Sequence, residues 1–202
     1  EKRLGRPLKL DKYSRPAAWG LLLEQYVCGE KLGTGYQSVG DITLQHPEYG
    51  EVWAGSPDAK NIREKVASSI KCYEPENFAT FVDALAEAAK SGTDYLRDER
   101  PEEYWQALSD ACLLGMDFIE FIVYMPYFSE LETIRAYADA YDGLDQWKYK
   151  FIATSDYTEV AWLPDKGYYK NLNIFRFPVN EADKALLTQK ILEASKLLQP
   201  FS

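Results

Sequence analysis

The chain reads as α/β: one domain with a central mixed β-sheet flanked by helices. Three observations predict this. Residues 118–124, Phe-Ile-Glu-Phe-Ile-Val-Tyr, form a β-branched and aromatic run, apolar almost throughout, which is the pattern of a strand covered on both faces. Segments with apolar residues at helical spacing lie before and after it, several opened by Pro or closed by Gly. A length of 202 residues supports one sizeable core and falls short of two ordinary domains.

Residues 1–13 carry Lys2, Arg3, Arg6, Lys9 and Lys12 without a clear period and read as a basic N-terminal arm ahead of a single domain over 14–202. Ser14 offers an N-cap and Pro16 lies in the first turn. Trp19, Leu22, Leu23, Tyr26 and Val27 recur at helical spacing, so 15–31 is a helix, ended by Gly33 and Gly35. Short strands are expected at 41–44 and 51–54 around the turn Gln45-His46-Pro47-Glu48-Tyr49-Gly50, and another at 66–72. Pro75 opens a helix with Phe78, Phe81, Val82, Leu85 and Ala89 on one face, and Gly92 closes it. Pro101 starts a third helix through Leu114, stopped by Gly115. After the strand at 118–124 the pattern predicts a helix over 129–141, strands at 147–153 and 173–177, and a final helix over 181–198 capped by Asn180.

Composition narrows the chemistry. No window approaches the roughly 18 consecutive apolar residues of a membrane span, and Glu1-Lys2-Arg3-Leu4-Gly5-Arg6 has no apolar core behind it, so it does not read as a signal peptide. Cys28, Cys72 and Cys112 are widely spaced in apolar settings without a CxxC pair. They read as buried thiols of a reducing cytoplasm, not as zinc ligands. A net charge of -9 argues against DNA binding by bulk charge and leaves room only for a local groove. His46 is the one histidine, which all but removes His-rich metal sites, Ser-His-Asp triads and Cys-His dyads. Metal chemistry here must use oxygen ligands, which favours Mg²⁺ or Mn²⁺.

One constellation survives. Gly55-Ser56-Pro57-Asp58 is followed by Ser68-Ser69-Ile70-Lys71, so an acid and a lysine stand at the ends of two neighbouring strands, about 5 Å apart if the strands pair. Phosphodiester hydrolysis needs a divalent metal held by carboxylates, an activated water and positive charge on the developing oxyanion. Glu24 sits among Gly20, Leu21, Val27 and Cys28, and a carboxylate in apolar surroundings needs a partner, metal or cation. Gln106, in Tyr104-Trp105-Gln106, offers a neutral amide that could orient water. The basic arm, Lys60, Arg63 and Lys65 are expected to form a positive rim near the cleft. Each residue has an ordinary reading too: Pro-Asp pairs start turns, strand-end lysines are usually solvated, and Asp58 and Lys71 could simply pair as ions.

Taken in order, Glu24 on the first helix, Gly55-Ser56-Pro57-Asp58, Ser69-Ile70-Lys71-Cys72 and Tyr104-Trp105-Gln106 resemble the PD-(D/E)XK nuclease superfamily. The branch is that of lambda exonuclease and the YqaJ-like viral recombinases. Ala111-Cys112-Leu113-Leu114-Gly115 leading into 121–127 is also similar. The resemblance covers about 15–130 as a restriction-endonuclease-like core and leaves 131–202 as a C-terminal extension. It implies a Mg²⁺- or Mn²⁺-dependent DNA exonuclease of phage-type recombination. Asp58 would be the central metal ligand, position 69 the second, the Ile70 carbonyl would face the metal, Glu24 would hold an outer metal, and Lys71 would position the attacking water. It implies DNA as partner, no membrane, and a cytoplasmic site in a bacterial cell or phage-infected host. It admits a homo-oligomer and a single-strand-annealing or recombination partner protein. Ser69 departs from the motif, which has an acid there. Three readings stand: a natural serine compensated by Glu64 or Glu74, an inactivating replacement, or a non-catalytic member of the fold that keeps nucleic-acid or protein binding.

Overall fold

The computed structural model describes residues 14–40, 42–143 and 146–197; the basic arm lies outside them. Helix α1 (Arg15–Tyr26) begins where the Ser14 hydroxyl accepts the Ala17 amide at 3.3 Å, with Pro16 in its first turn. It runs into a π-helical turn, Val27–Lys31, so the expected helix over 15–31 forms with a local widening. Strands β1 (Gln37–Ser38), β2 (Leu44–Gln45), β3 (Ala54–Gly55), β4 (Ala59–Asn61) and β5 (Val66–Lys71) follow. Next come α2 (Pro75–Ser91), α3 (Thr93–Glu99), α4 (Pro101–Leu114), β6 (Phe118–Tyr124), α5 (Leu131–Ala140), α6 (Gln146–Thr154), β7 (Leu172–Pro178) and α7 (Glu181–Lys196). Gly115 ends α4 with φ 64°, the left-handed value that a Cβ would oppose.

The sheet is mixed, with strand order β1-β4-β5-β6-β7. β5 and β6 pair in parallel, as the long helical crossover between them requires, and the other pairings are antiparallel. β6 is an interior strand and its residues from Ile119 to Tyr124 are all buried, as its sequence predicts. α2 and α4 pack on the sheet, and α1 packs on β5 and on α5 and α6.

Two departures have clear physical causes. Residues 147–153, expected as a strand, lie in α6. The alternation of Trp147, Tyr149 and Phe151 imitates a strand, but the buried side chains are Tyr149 and Ile152, one helical turn apart, packed toward α1 and α5. The expected strand at 51–54 is mostly turn. Only Ala54 joins Gly55 in β3, which pairs with Leu44–Gln45 in a separate two-stranded ribbon. That ribbon docks on α4 through Trp53, whose indole Nε1 donates to Ser109 Oγ at 2.9 Å and whose ring packs with Cys112 and Leu113. His46 stacks on Trp53 and Tyr49, and its Nδ1 accepts the Glu48 and Tyr49 amides, so it serves the turn.

A cross-strand row fixes the register of β5. Ser68, Glu120 and Arg176 are paired neighbours on β5, β6 and β7. Glu120 is fully buried and satisfied: Ser68 and Tyr36 hydroxyls donate to Oε1 at 2.9 Å each, and Arg176 donates to Oε2 from Nε at 3.0 Å and from a terminal nitrogen at 2.8 Å. Arg176 also meets Glu64 at 2.6 Å.

Candidate active site

The end of β5 gathers the charged side chains. β4 and β5 are antiparallel with Ala59 opposite Ser68, so Asp58, just before β4, falls beside Ser69. Asp58 Oδ2 accepts the Ile70 amide at 2.8 Å and lies 3.5 Å from the Ser69 hydroxyl, a long contact. A strand residue turns its N–H and C=O to the same side. The Ile70 carbonyl therefore also faces the edge where Asp58 stands, beyond the end of β4. Lys71, the last residue of β5, donates from Nζ to Gln106 Oε1 at 3.2 Å. Asp58 and Lys71 make no ion pair, contrary to the ordinary reading in which the two simply pair as ions.

Glu24 reaches the same place from α1. With Gln25, Cys28, Ser38, Asp58 and Ile70 it lines a cavity of about 210 Å³. Burial pushes its carboxyl from the usual 4.5 up to about 7, helped by the Asp58 charge and opposed by Lys71. Asp58 itself is raised by burial, against Lys71, the Ile70 amide and Ser69. Asp58, Ser69, Ile70, Lys71, Glu24 and Gln106 thus border one region at the end of β5.

The remaining sequence-predicted positions are divided: Lys60 stays two strand residues from Asp58, and the others lie farther off. Arg63 and Lys65 sit in the β4–β5 turn, at the opposite end of β5 from Lys71 and roughly 20 Å away at strand rise. Lys65 is ion-paired with Asp117 at 2.9 Å, and Lys60 lies within β4 opposite Ala67. The expected positive rim is therefore not assembled beside Lys71. Glu64 is committed to Arg176 at that same far end, and Glu74 is the exposed N-cap residue of α2.

One acid absent from the sequence reading belongs here. Asp110 follows Gln106 by one turn of α4, which places both on one helix face. Burial pushes its carboxyl from the usual 3.8 up to about 7, with the Asp58 charge adding and Lys71 opposing. Its Oδ1 lies 3.8 Å from where a Gly55 Cβ would stand, and that Cβ would meet Leu113 Cδ1 at 2.8 Å. A side chain at Gly55 would therefore press on Leu113 of α4. The i, i+4 relation to Gln106 was the one signal in the sequence.

No protein-family model matches the chain, and no curated protein matches it in sequence. Three solved structures share its fold. The alkaline exonuclease LHK-Exo of Laribacter hongkongensis matches at 16% identity and TM-score 0.53, over 98% of this chain and 74% of its own. LHK-Exo in complex with dAMP matches at 16% identity and TM-score 0.52, over 94% and 70%. A phage-related exonuclease of Haemophilus somnus 129PT matches at 15% identity and TM-score 0.53, over 96% and 74%. At such identities the likeness establishes the fold.

Proposed function

We propose that this protein is a metal-dependent DNA nuclease that hydrolyses phosphodiester bonds, acting as an exonuclease of phage-type recombination. The observation that carries the reading is the convergence of Asp58, Lys71 and Glu24 at the end of β5, in a fold that two exonucleases share. Two half-buried carboxyls pushed upward, with a lysine between strand end and helix, describe a place short of positive charge.

The donor set fits Mg²⁺ or Mn²⁺. It consists of oxygen alone: the Asp58 carboxylate, the Ile70 carbonyl and the Glu24 carboxylate. Among the described residues no three Asp, Glu, His or Cys side chains gather closely enough to enclose an ion. That matches a cation held by one or two carboxylates with water and substrate phosphate completing its shell. When bound, the ion would supply Lewis-acid polarisation of the phosphate and lower the pKa of water. Asp58 is fixed for this by the Ile70 amide. Lys71, which donates to Gln106, would hold the attacking water and balance charge on the phosphate oxygens. DNA would reach this region by local contacts, since the net charge of -9 repels phosphates elsewhere. A homo-oligomer, a recombination partner protein and a cytoplasmic setting are part of the same reading.

Ser69 favours a second reading, a non-catalytic member of the fold that binds nucleic acid or protein. Its hydroxyl brings no charge to the motif position, and it is buried beside Asp58. Incubating the chain with linear and with covalently closed circular duplex DNA, with Mg²⁺ and with Mn²⁺, separates the two. The exonuclease reading expects mononucleotides from the linear substrate only. Retention of DNA with no product from either substrate supports the second reading.

A further inference from the structure

Three carboxylates are buried among the described residues: Asp110, Glu120 and Asp183. Two are fully answered. Glu120 holds Arg176, Ser68 and Tyr36, and Asp183 holds Arg97 at 2.9 Å and the Tyr104 hydroxyl at 2.6 Å. Asp110 is only 7% exposed, yet accepts no hydrogen bond and joins no ion pair among the described residues. Its oxygens are not sealed, since the fully enclosed polar atoms without a partner among the described residues are Trp19 Nε1 and the Tyr124 hydroxyl, so Asp110 can be answered by something that enters from solvent, which would offset the cost of its burial.

Its position says what that would be. Asp110 lies one helical turn after Gln106, which touches Lys71, and beside Gly55, three residues before Asp58. α4 packs directly on β5, so this face of the helix meets the strand end where the motif lacks its second acid. Glu64 is held by Arg176 at the far end of β5, and Glu74, exposed at the start of α2, makes no contact with Asp58 or Ser69.

We propose that Asp110 is the second acid of the site, a carboxylate delivered from α4 that with Asp58 and the Ile70 carbonyl forms a divalent-cation site in place of one using position 69. The ligand class is a small hard cation, Mg²⁺ or Mn²⁺, retaining water in its other positions. This deepens the nuclease reading and rests on it for the use to which the ion is put.

The test is Mn²⁺ titration of the full chain by calorimetry, as wild type, Asp110→Asn, Asp58→Asn and the double variant Asp110→Asn with Ser69→Glu. Asp110→Asn should weaken Mn²⁺ by at least about tenfold, the least seen even for groups that only support a metal ligand. The double variant should recover most of that loss. A second measurement needs no variant: Mn²⁺ should broaden the Asp110 side-chain carboxyl resonance in the wild-type chain. Wild-type affinity in Asp110→Asn, an unbroadened Asp110 resonance, or no Mn²⁺ binding by the wild type overturns the proposal. DNA cleavage is scored separately on the same proteins. Mn²⁺ binding that depends on Asp110, with no cleavage, sinks the nuclease reading and leaves the cation site. Cleavage that survives in Asp110→Asn with unchanged Mn²⁺ affinity does the reverse.

Discussion

Asp110→Asn in metal-free protein should raise stability at pH 8 and leave it nearly unchanged at pH 4. The Asp110 carboxyl stands at about 7 in the fold against a usual 3.8, chiefly because it is buried. Between those values the folded chain holds a proton that the unfolded chain has lost. Stability therefore falls as pH rises through this window and levels off above the folded value. At 1.36 kcal/mol per pH unit the ionised side chain costs up to about 4 kcal/mol at pH 8. Asparagine keeps the shape and removes the charge. For a chain of this size each kcal/mol is worth ~2–4 °C, so the ceiling is a gain of roughly 8–16 °C in Tm. Glu24, raised from 4.5 to about 7, contributes in the same direction with a ceiling of about 3 kcal/mol. The two gains will not add fully, because both carboxyls feel Asp58. The assay is thermal unfolding with a chelator at pH 4 and pH 8, read as variant minus wild type. An equal Tm change at both pH values, or a loss at pH 8, would refute an unpaired buried carboxylate at position 110.

Other outcomes follow from the same geometry. Lys71→Ala should reduce cleavage about 100- to 1000-fold with the fold intact, as loss of a group that stabilises transition-state charge does; single-turnover kinetics and circular dichroism check both halves. Arg176→Ala should cost about 3–5 kcal/mol in urea unfolding, because it strands the buried Glu120 charge. Ser69→Glu should raise Mn²⁺ affinity by adding charge beside Asp58, and calorimetry showing no change would place Ser69 away from the ion. DNA affinity should fall steeply from roughly 50 to 200 mM salt, since phosphate contacts release counterions; a flat salt dependence in a filter-binding assay would remove the local-groove idea.

Much of this architecture is legible in the sequence, for reasons that differ by element. α4 and β6 form over the residues expected, because Pro101 and Gly115 bracket the helix and the apolar run 118–124 has no competing period. β1 and β4 span two and three residues, too short to carry a period at all, and they become strands only by pairing with neighbours. α3 follows Gly92 as a short, charged helix with too few apolar residues to show a period, and the sequence placed no element there. In α6, three alternating aromatics outweighed the helical pair Tyr149 and Ile152 that tertiary packing selects. The site divides in the same way. Asp58, Ser69, Ile70 and Lys71 are adjacent on paired strands, so spacing reveals them. Asp110 meets them only through the docking of α4 and the Trp53 ribbon, which no spacing encodes. Arg63 and Lys65 mislead because nearness in sequence to Asp58 becomes distance along an extended hairpin, whereas Lys60 stays two strand residues from Asp58.

Release of mononucleotides from end-labelled linear duplex DNA, by wild type and by Asp58→Asn purified identically, tests the nuclease reading most directly. Wild type should release them with Mg²⁺ or Mn²⁺ and stop on chelation, and Asp58→Asn should release none. No release by a wild type that binds Mn²⁺, or equal release by both proteins, would contradict it.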